Sequence, residues 1–262
     1  MHLNDYKVNG KFTPSFYRIQ SMDKKIKEYH IHFPEELRND DKKYPVIIAA
    51  NGVVEPSKIY YHALKHLASW GFIVVSNQDN DSWTGYSTIA NLKFLLELNE
   101  NTNSPFYQKV DIDNIGVLGH SEGGIAAINA INNFECGKYF KTLYTASMPN
   151  ICLMKILGWK YNLEKINIPY CMVQGTGFMD SYFFIPKFFA MRNYKKISND
   201  ICKIEARCIH AGHNNMLWDV YSGYTAWFMW QLQNDKNASK IFAGNDAKIL
   251  TNKDWTDVCK NF

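Results

Sequence analysis

Residues 119–123, Gly119-His120-Ser121-Glu122-Gly123, set one hydroxyl between two glycines where two contrasting stretches meet. The apolar run "IGVLG" (115–119) leads in, and "GGIAAINAINNF" leads out with small residues at helical spacing. A nucleophile on a sharp strand-to-helix turn takes strained backbone angles, and flanking glycines leave room for that turn. Its oxygen then projects above the carboxyl edge of a sheet, where the first amides of the helix also point. Such a serine suits acyl transfer, with the backbone N–H of Glu122 as one donor to a developing oxyanion. The competing reading is a plain strand–helix turn with Ser121 as the helix N-cap.

Serine is a weak nucleophile near neutral pH and needs a base, which in turn needs an orienting acid. After Ser121 the chain holds two histidines, His210 and His213, both in "CIHAGHNNMLW". His210 ends a strand candidate, whereas His213 follows the Ala211-Gly212 turn in a loop, where catalytic residues concentrate; His213 is the preferred base. In "YCMVQGTGFMDSYF" Asp180 is the first carboxylate after a strand, with Asp200 as the fallback acid and an ordinary turn aspartate as the alternative reading. A second oxyanion donor is expected from the loop "AANGVVEP", through the backbone of Val53. Trp83 and Tyr86, after a strand, and Phe178 and Tyr182, flanking Asp180, are candidate pocket walls; in a chain with 15% aromatics they serve equally well as core or rim.

The elements that must position these groups alternate. "YPVIIAA" (44–50) and "FIVVS" (72–76) read as strands buried on both faces, with "IYYHALKHLASWG" (59–71) a helix between them. "TIANLKFLLELN" (88–99) is a further amphipathic helix, and "LYTAS" (143–147), "YCMVQG" (170–175) and "CKIEARCI" (202–209) are later strands. "MLWDVYSGYTAWFMWQLQ" (216–233) reads as one helix with a broad apolar face. Alternation of this kind predicts an α/β fold with a mostly parallel sheet and helices on both faces. "KEYHIHFPEE" (27–36) alternates apolar and polar residues, so an antiparallel N-terminal edge strand is expected there. A single domain over 1–262 is expected, with the apolar, aperiodic segment 150–164 as a small cap.

Composition narrows the classes. At 262 residues, 46% apolar and a formal charge of +4, the chain has core enough for a globular domain and no basic stripe for nucleic acid. No run is long enough for a membrane span, and no apolar segment follows Met1, so a cytoplasmic chain is expected unless a leader was trimmed. The six cysteines are dispersed with no CxxC pair, against a zinc ribbon or a thioredoxin-like centre. "DND" (79–81) lacks the later ligands of a calcium loop, and His30 with His32 lacks a third ligand near in sequence, so no metal is expected.

The segments "NGVVEPSKIYYHALKHLASWGFIVVSNQ", "IGVLGHSEGGIAAINA", the glycine-aspartate loop after 174, "HAGHNN" and "YTAWFMWQL" together resemble the α/β-hydrolases, over roughly residues 40 to 235. More narrowly they are similar to the dienelactone-hydrolase and bacterial cutinase or polyester-hydrolase branch. The resemblance implies an α/β-hydrolase fold, a serine esterase without cofactor, and a Ser121–Asp180–His213 triad with the amides of Val53 and Glu122 as oxyanion hole. Substrates would be short-to-medium acyl esters, small or polymeric. The chain departs from that branch in having serine where dienelactone hydrolases proper use cysteine, and in an aspartate set a residue or two further along its loop. The same triad serves an amidase, peptidase or acyltransferase, and a non-catalytic binding protein on this scaffold would lack a triad member.

Overall fold

In the computed structural model, described over residues 2–52, 57–79 and 81–262 with 57–59 described by backbone alone, nine strands form one sheet. The strands and helices are β1 (Pro14–Gln20), β2 (Glu28–Pro34), β3 (Tyr44–Ala50), α1 (Ser57–Ser69), β4 (Ile73–Asn77), α2 (Tyr86–Glu100), β5 (Val110–His120), α3 (Glu122–Asn133), β6 (Phe140–Ala146), α4 (Ile151–Ile156), β7 (Tyr170–Gly175), α5 (Lys187–Lys196), β8 (Lys203–Cys208), α6 (Met216–Asp219), α7 (Tyr221–Gln233), α8 (Lys236–Phe242) and β9 (Trp255–Lys260). The sheet runs β1-β2-β4-β3-β5-β6-β7-β8-β9. Strands from β4 to β8 in that order pair in parallel, and antiparallel strands close both ends. No described helix is long and apolar enough to cross a membrane.

The sheet is mostly parallel with helices on both faces, as the alternation predicts, and the fold is that of an α/β-hydrolase. Side chains along a strand alternate faces, and β3 follows the rule. Ile47 and Ala49 join one apolar cluster with Leu64 and Leu67 of α1 and Trp227 and Phe228 of α7. Val46 and Ile48 join the other, with Leu92 and Leu95 of α2 and Ile125 and Ile128 of α3. Each such buried aliphatic or aromatic side chain contributes about 1.5–3 kcal/mol relative to exposure. The unbroken apolar reading of β3 and β4 is thus the signature of strands covered on both sides.

Three boundaries differ from expectation. Residues 28–34 are antiparallel but interior: β1 pairs outside them, from Pro14 opposite Pro34 to Gln20 opposite Glu28. β1 is largely exposed, so its sequence carries no apolar run to announce it. At the far end β9 pairs antiparallel with β8 and is only half-buried. The single helix expected over 216–233 is broken at Val220 (φ −107°, ψ 20°). The break lets α6 pack on α1 while α7 lies along β5 and β6. All six cysteines are free thiols.

The parallel strands matter most for chemistry. β3, β5, β6, β7 and β8 all point the same way, so the loops that follow them meet at one carboxyl edge. Those loops carry Asn51-Gly52, Ser121, Ser147, Asp180 and His213 respectively.

Candidate active site

Ser121 sits between β5 and α3 with φ 53° and ψ −123°, a strained conformation for a residue with a side chain. Steric exclusion explains the two glycines around it. A Cβ on Gly119 would come 2.3 Å from the carbonyl oxygen of Gly123, and one on Gly123 would come 2.0 Å from that of Ala50. The backbones of β5, α3 and the end of β3 therefore touch, and only glycine permits that approach. The Ser121 N–H donates to the Ala146 carbonyl at 2.9 Å, tying the turn to the neighbouring strand.

Ser121 Oγ lies 2.9 Å from His213 Nε2, and His213 Nδ1 lies 2.6 Å from Asp180 Oδ1. Asp180 is fully buried in one turn of π-helix, Asp180–Phe184. Its Oδ2 accepts the Gly175 N–H at 2.9 Å and the Ser147 hydroxyl. A carboxylate in that setting only accepts, so Nδ1 of His213 carries the proton and Nε2 presents its lone pair to Ser121. The Phe184 ring stacks on the imidazole at 4.0 Å between centroids and 23° between planes, which fixes its tilt. His210, by contrast, is exposed in a left-handed turn (φ 64°), and Asp200 is exposed and bonded to Ser198.

A second series of bonds, not foreseen from sequence, links the loop after β3 to His213. Buried His120 lies 2.8 Å from the His213 carbonyl through Nε2, so that nitrogen donates. Its Nδ1 then accepts from the Tyr60 hydroxyl at 3.1 Å, and the same hydroxyl accepts the Gly52 N–H at 3.1 Å. Asn51 is fixed as well: its side-chain amide donates to the Asn77 and Asp79 carbonyls, and its backbone carbonyl accepts the Ser82 hydroxyl at 2.7 Å. Val53 lies outside the described residues. The Glu122 N–H, at the first residue of α3, has no carbonyl partner within the helix.

The Glu122 side chain is buried, and Oε1 accepts the Trp83 N–H at 2.7 Å. Burial pushes its carboxyl up to about 7, against the pull of the Trp83 and Ser82 amides and with Asp81 and Asp79 adding repulsion. This bond ties α3 to the loop after β4. Trp83 is half-buried there and stacks on Trp159 at 6.3 Å and 14°.

A cavity of about 270 Å³ opens over Ser121 and His213, walled by Pro149, Met154, Leu157, Trp159 and Phe184. Most of these walls come from the segment 150–164. There α4 starts at Asn150, whose side chain accepts from the Cys152 and Leu153 amides. The aromatic walls expected from sequence stand elsewhere. Tyr86 turns away from the cavity, its hydroxyl 2.5 Å from Asp23 Oδ2. Phe178 and Tyr182 are exposed and pack on each other at 5.1 Å, on the rim. The π-helical turn explains this: it buries Asp180, leaves Phe184 half-buried and turns Tyr182 and Phe183 outward. The signal for the true walls was the apolar, aperiodic run before β7.

Among the described residues no three or more His, Cys, Asp or Glu side chains gather to hold a metal ion. His32 instead packs between Phe16 and Tyr61, with centroids at 4.8 and 4.9 Å.

The sequence profile of the chlorophyllase family matches residues 6–242, nearly the whole chain. The chain belongs to the chlorophyllase family. That family consists of carboxylesterase-type hydrolases within the α/β-hydrolase superfamily, so the broad resemblance stands, while the narrower likeness to dienelactone hydrolases and cutinases is not what the match supports. No curated protein matches the chain closely enough to add a relative.

Proposed function

We propose that this member of the chlorophyllase family is a serine carboxylic-ester hydrolase with Ser121 as nucleophile, His213 as base and Asp180 as the orienting acid. The observation that carries the reading is the unbroken hydrogen-bonded series Ser121–His213–Asp180 at the mouth of an apolar cavity.

His213 Nε2 takes the Ser121 proton as Oγ attacks the ester carbonyl, and the imidazolium that forms is stabilised by Asp180. The oxyanion is held by the Glu122 N–H and by a second amide from the loop after β3. Gly52 spends its N–H on Tyr60, so the next residue, Val53, is the proposed second donor. Each such donor supplies about 3–4 kcal/mol to the transition state. His213 then protonates the leaving alcohol and activates water on the acyl-enzyme. Pro149, Met154, Leu157 and Trp159 offer no charge to a bound group, which favours apolar acyl or alcohol portions of short-to-medium length, or the repeat of a polyester-like chain.

Ser121→Ala is the decisive variant. Turnover of p-nitrophenyl butyrate should fall on the order of 10⁴-fold or more, with the melting temperature unchanged and labelling by a fluorophosphonate probe abolished. Retained turnover by a pure, folded variant would overturn the assignment.

A further inference from the structure

The described surface exposes fifteen large apolar side chains, and seven of them fall on two short segments at the mouth of the cavity. Ile156 and Leu157 end α4; Phe178, Met179, Tyr182 and Phe183 lie just before and within the π-helical turn, where Phe178 packs on Tyr182 and Phe183; and Phe188 follows in α5, Ile156, Tyr182 and Phe188 being more than two-thirds exposed. The two segments are joined. Asn150, at the head of α4, donates its backbone and side-chain N–H groups to the Phe184 carbonyl, both at 2.8 Å. Leu157 and Phe184 then wall the same cavity, so the exposed apolar collar runs without interruption into the space over Ser121.

Charge follows the same segments. Residues 150–196 hold seven lysines and arginines and two carboxylates, Glu164 and the buried Asp180. The rest of the chain holds twenty-two basic and twenty-three acidic residues, so the positive excess of the molecule resides here. Arg192, Lys195 and Lys196 line one groove of about 330 Å³ with Phe188 and Met191. Among the described residues these three cations have no ion-pair partner.

We propose that this collar is a docking face for an anionic lipid bilayer. Aromatic and aliphatic side chains enter the headgroup boundary while the cations of α5 meet lipid phosphates and carboxylates. An exposed apolar patch costs solubility wherever it faces water, so a patch at the rim of a site marks a surface that is covered in use. The complement to both features together is a surface that is apolar beneath and negative above, and a bilayer containing anionic lipid is one. Building on the esterase reading, the cavity would then face the membrane, and Ser121 would draw its ester from the apolar phase rather than from water.

Flotation with vesicles tests docking apart from catalysis. The native chain and Ser121→Ala should both float with phosphatidylcholine vesicles containing 30% phosphatidylserine, and at least tenfold less with phosphatidylcholine alone. Ile156→Ser/Phe188→Ser and Arg192→Glu/Lys195→Glu should each lose tenfold or more of that binding, yet hydrolyse soluble p-nitrophenyl acetate at the native rate. The proposal fails if the native chain does not float, or if both double variants float as well as it does. It fails equally if sedimentation velocity shows the collar closing a dimer that Ile156→Ser/Phe188→Ser dissolves. Loss of soluble-ester turnover in the native chain, with flotation intact, would count against the esterase reading alone.

Discussion

Two halves of the carboxyl edge position their reactive groups by different physics. At the β3–β5 side, backbones touch. Gly119 and Gly123 exclude any side chain, and the strained Ser121 has nowhere else to go. At the β7–β8 side the backbones also approach, a Cβ on Gly175 coming 2.4 Å from the Ala211 carbonyl oxygen, but Asp180 and His213 stand beyond that contact and meet through their side chains. They are held by bonds from scattered partners, Ser147, Gly175 and the stacked Phe184. Contact between backbones is unforgiving, because a single added carbon has no space. Hydrogen bonds are graded, each contributing about 0.5–1.5 kcal/mol net.

The contrast predicts an ordered set of effects. Gly123→Ala is the harshest test of the wedged half. Its Cβ meets the Ala50 carbonyl, so a loss of about 3 kcal/mol or more in stability is expected, with kcat/KM down about 100-fold in whatever folds. Chemical denaturation and ester kinetics measure both, and a variant that keeps native stability would remove the steric argument.

Glu122→Gln separates electrostatics from sterics in that same half. An acid whose folded pKa of about 7 exceeds its ordinary 4.5 holds its proton more tightly when folded. Its contribution to stability is therefore greatest below pH 4.5 and is lost as pH rises to about 7. Glutamine keeps the acceptor for Trp83 and has no proton to lose. The variant should match the parent near pH 4.5 and exceed it at pH 8, by about 3 kcal/mol at most. His32 and His66 act with the opposite sign: burial lowers them to about 3 and about 4, so both bind protons only on unfolding once pH drops through 6.5. Comparing variant and parent at each pH cancels their share. A stability difference that is flat from pH 5 to 8 would contradict the buried carboxylate.

Ser147→Ala probes the hydrogen-bonded half and should be the mildest. Asp180 Oδ2 keeps the Gly175 N–H, so a loss of about 1 kcal/mol and a fall of about tenfold in kcat/KM are expected, without unfolding. An effect as large as that of Gly123→Ala would erase the distinction between the halves.

The same distinction decides what the sequence could disclose. Glycine spacing around Ser121 is local, so the strand, the turn, the helix and the nucleophile candidate were all readable in one stretch. Buried strands were legible for the same reason, since β3 and β4 need apolar residues on both faces. Exposed β1 needed none and passed unseen. Asp180 and His213 were reachable only as candidates, through chain order and their places in loops after strands. Ser147 and Tyr60 were not reachable at all, because Ser147 lies thirty-three residues from Asp180 and Tyr60 lies sixty from His120. Tyr86 shows the converse failure: its place after β4 suggested a wall, and its hydroxyl goes to Asp23 instead.

His120 joins the two halves. Because it binds the His213 carbonyl on one side and, through Tyr60, the Gly52 amide on the other, a displacement of Gly52 is passed on to the stretch of chain bearing the imidazole. On the proposed esterase reading, assembly of the oxygen cradle and seating of the proton acceptor would then be one event, and a poorly fitting ester that failed to recruit the first would also leave the second out of line.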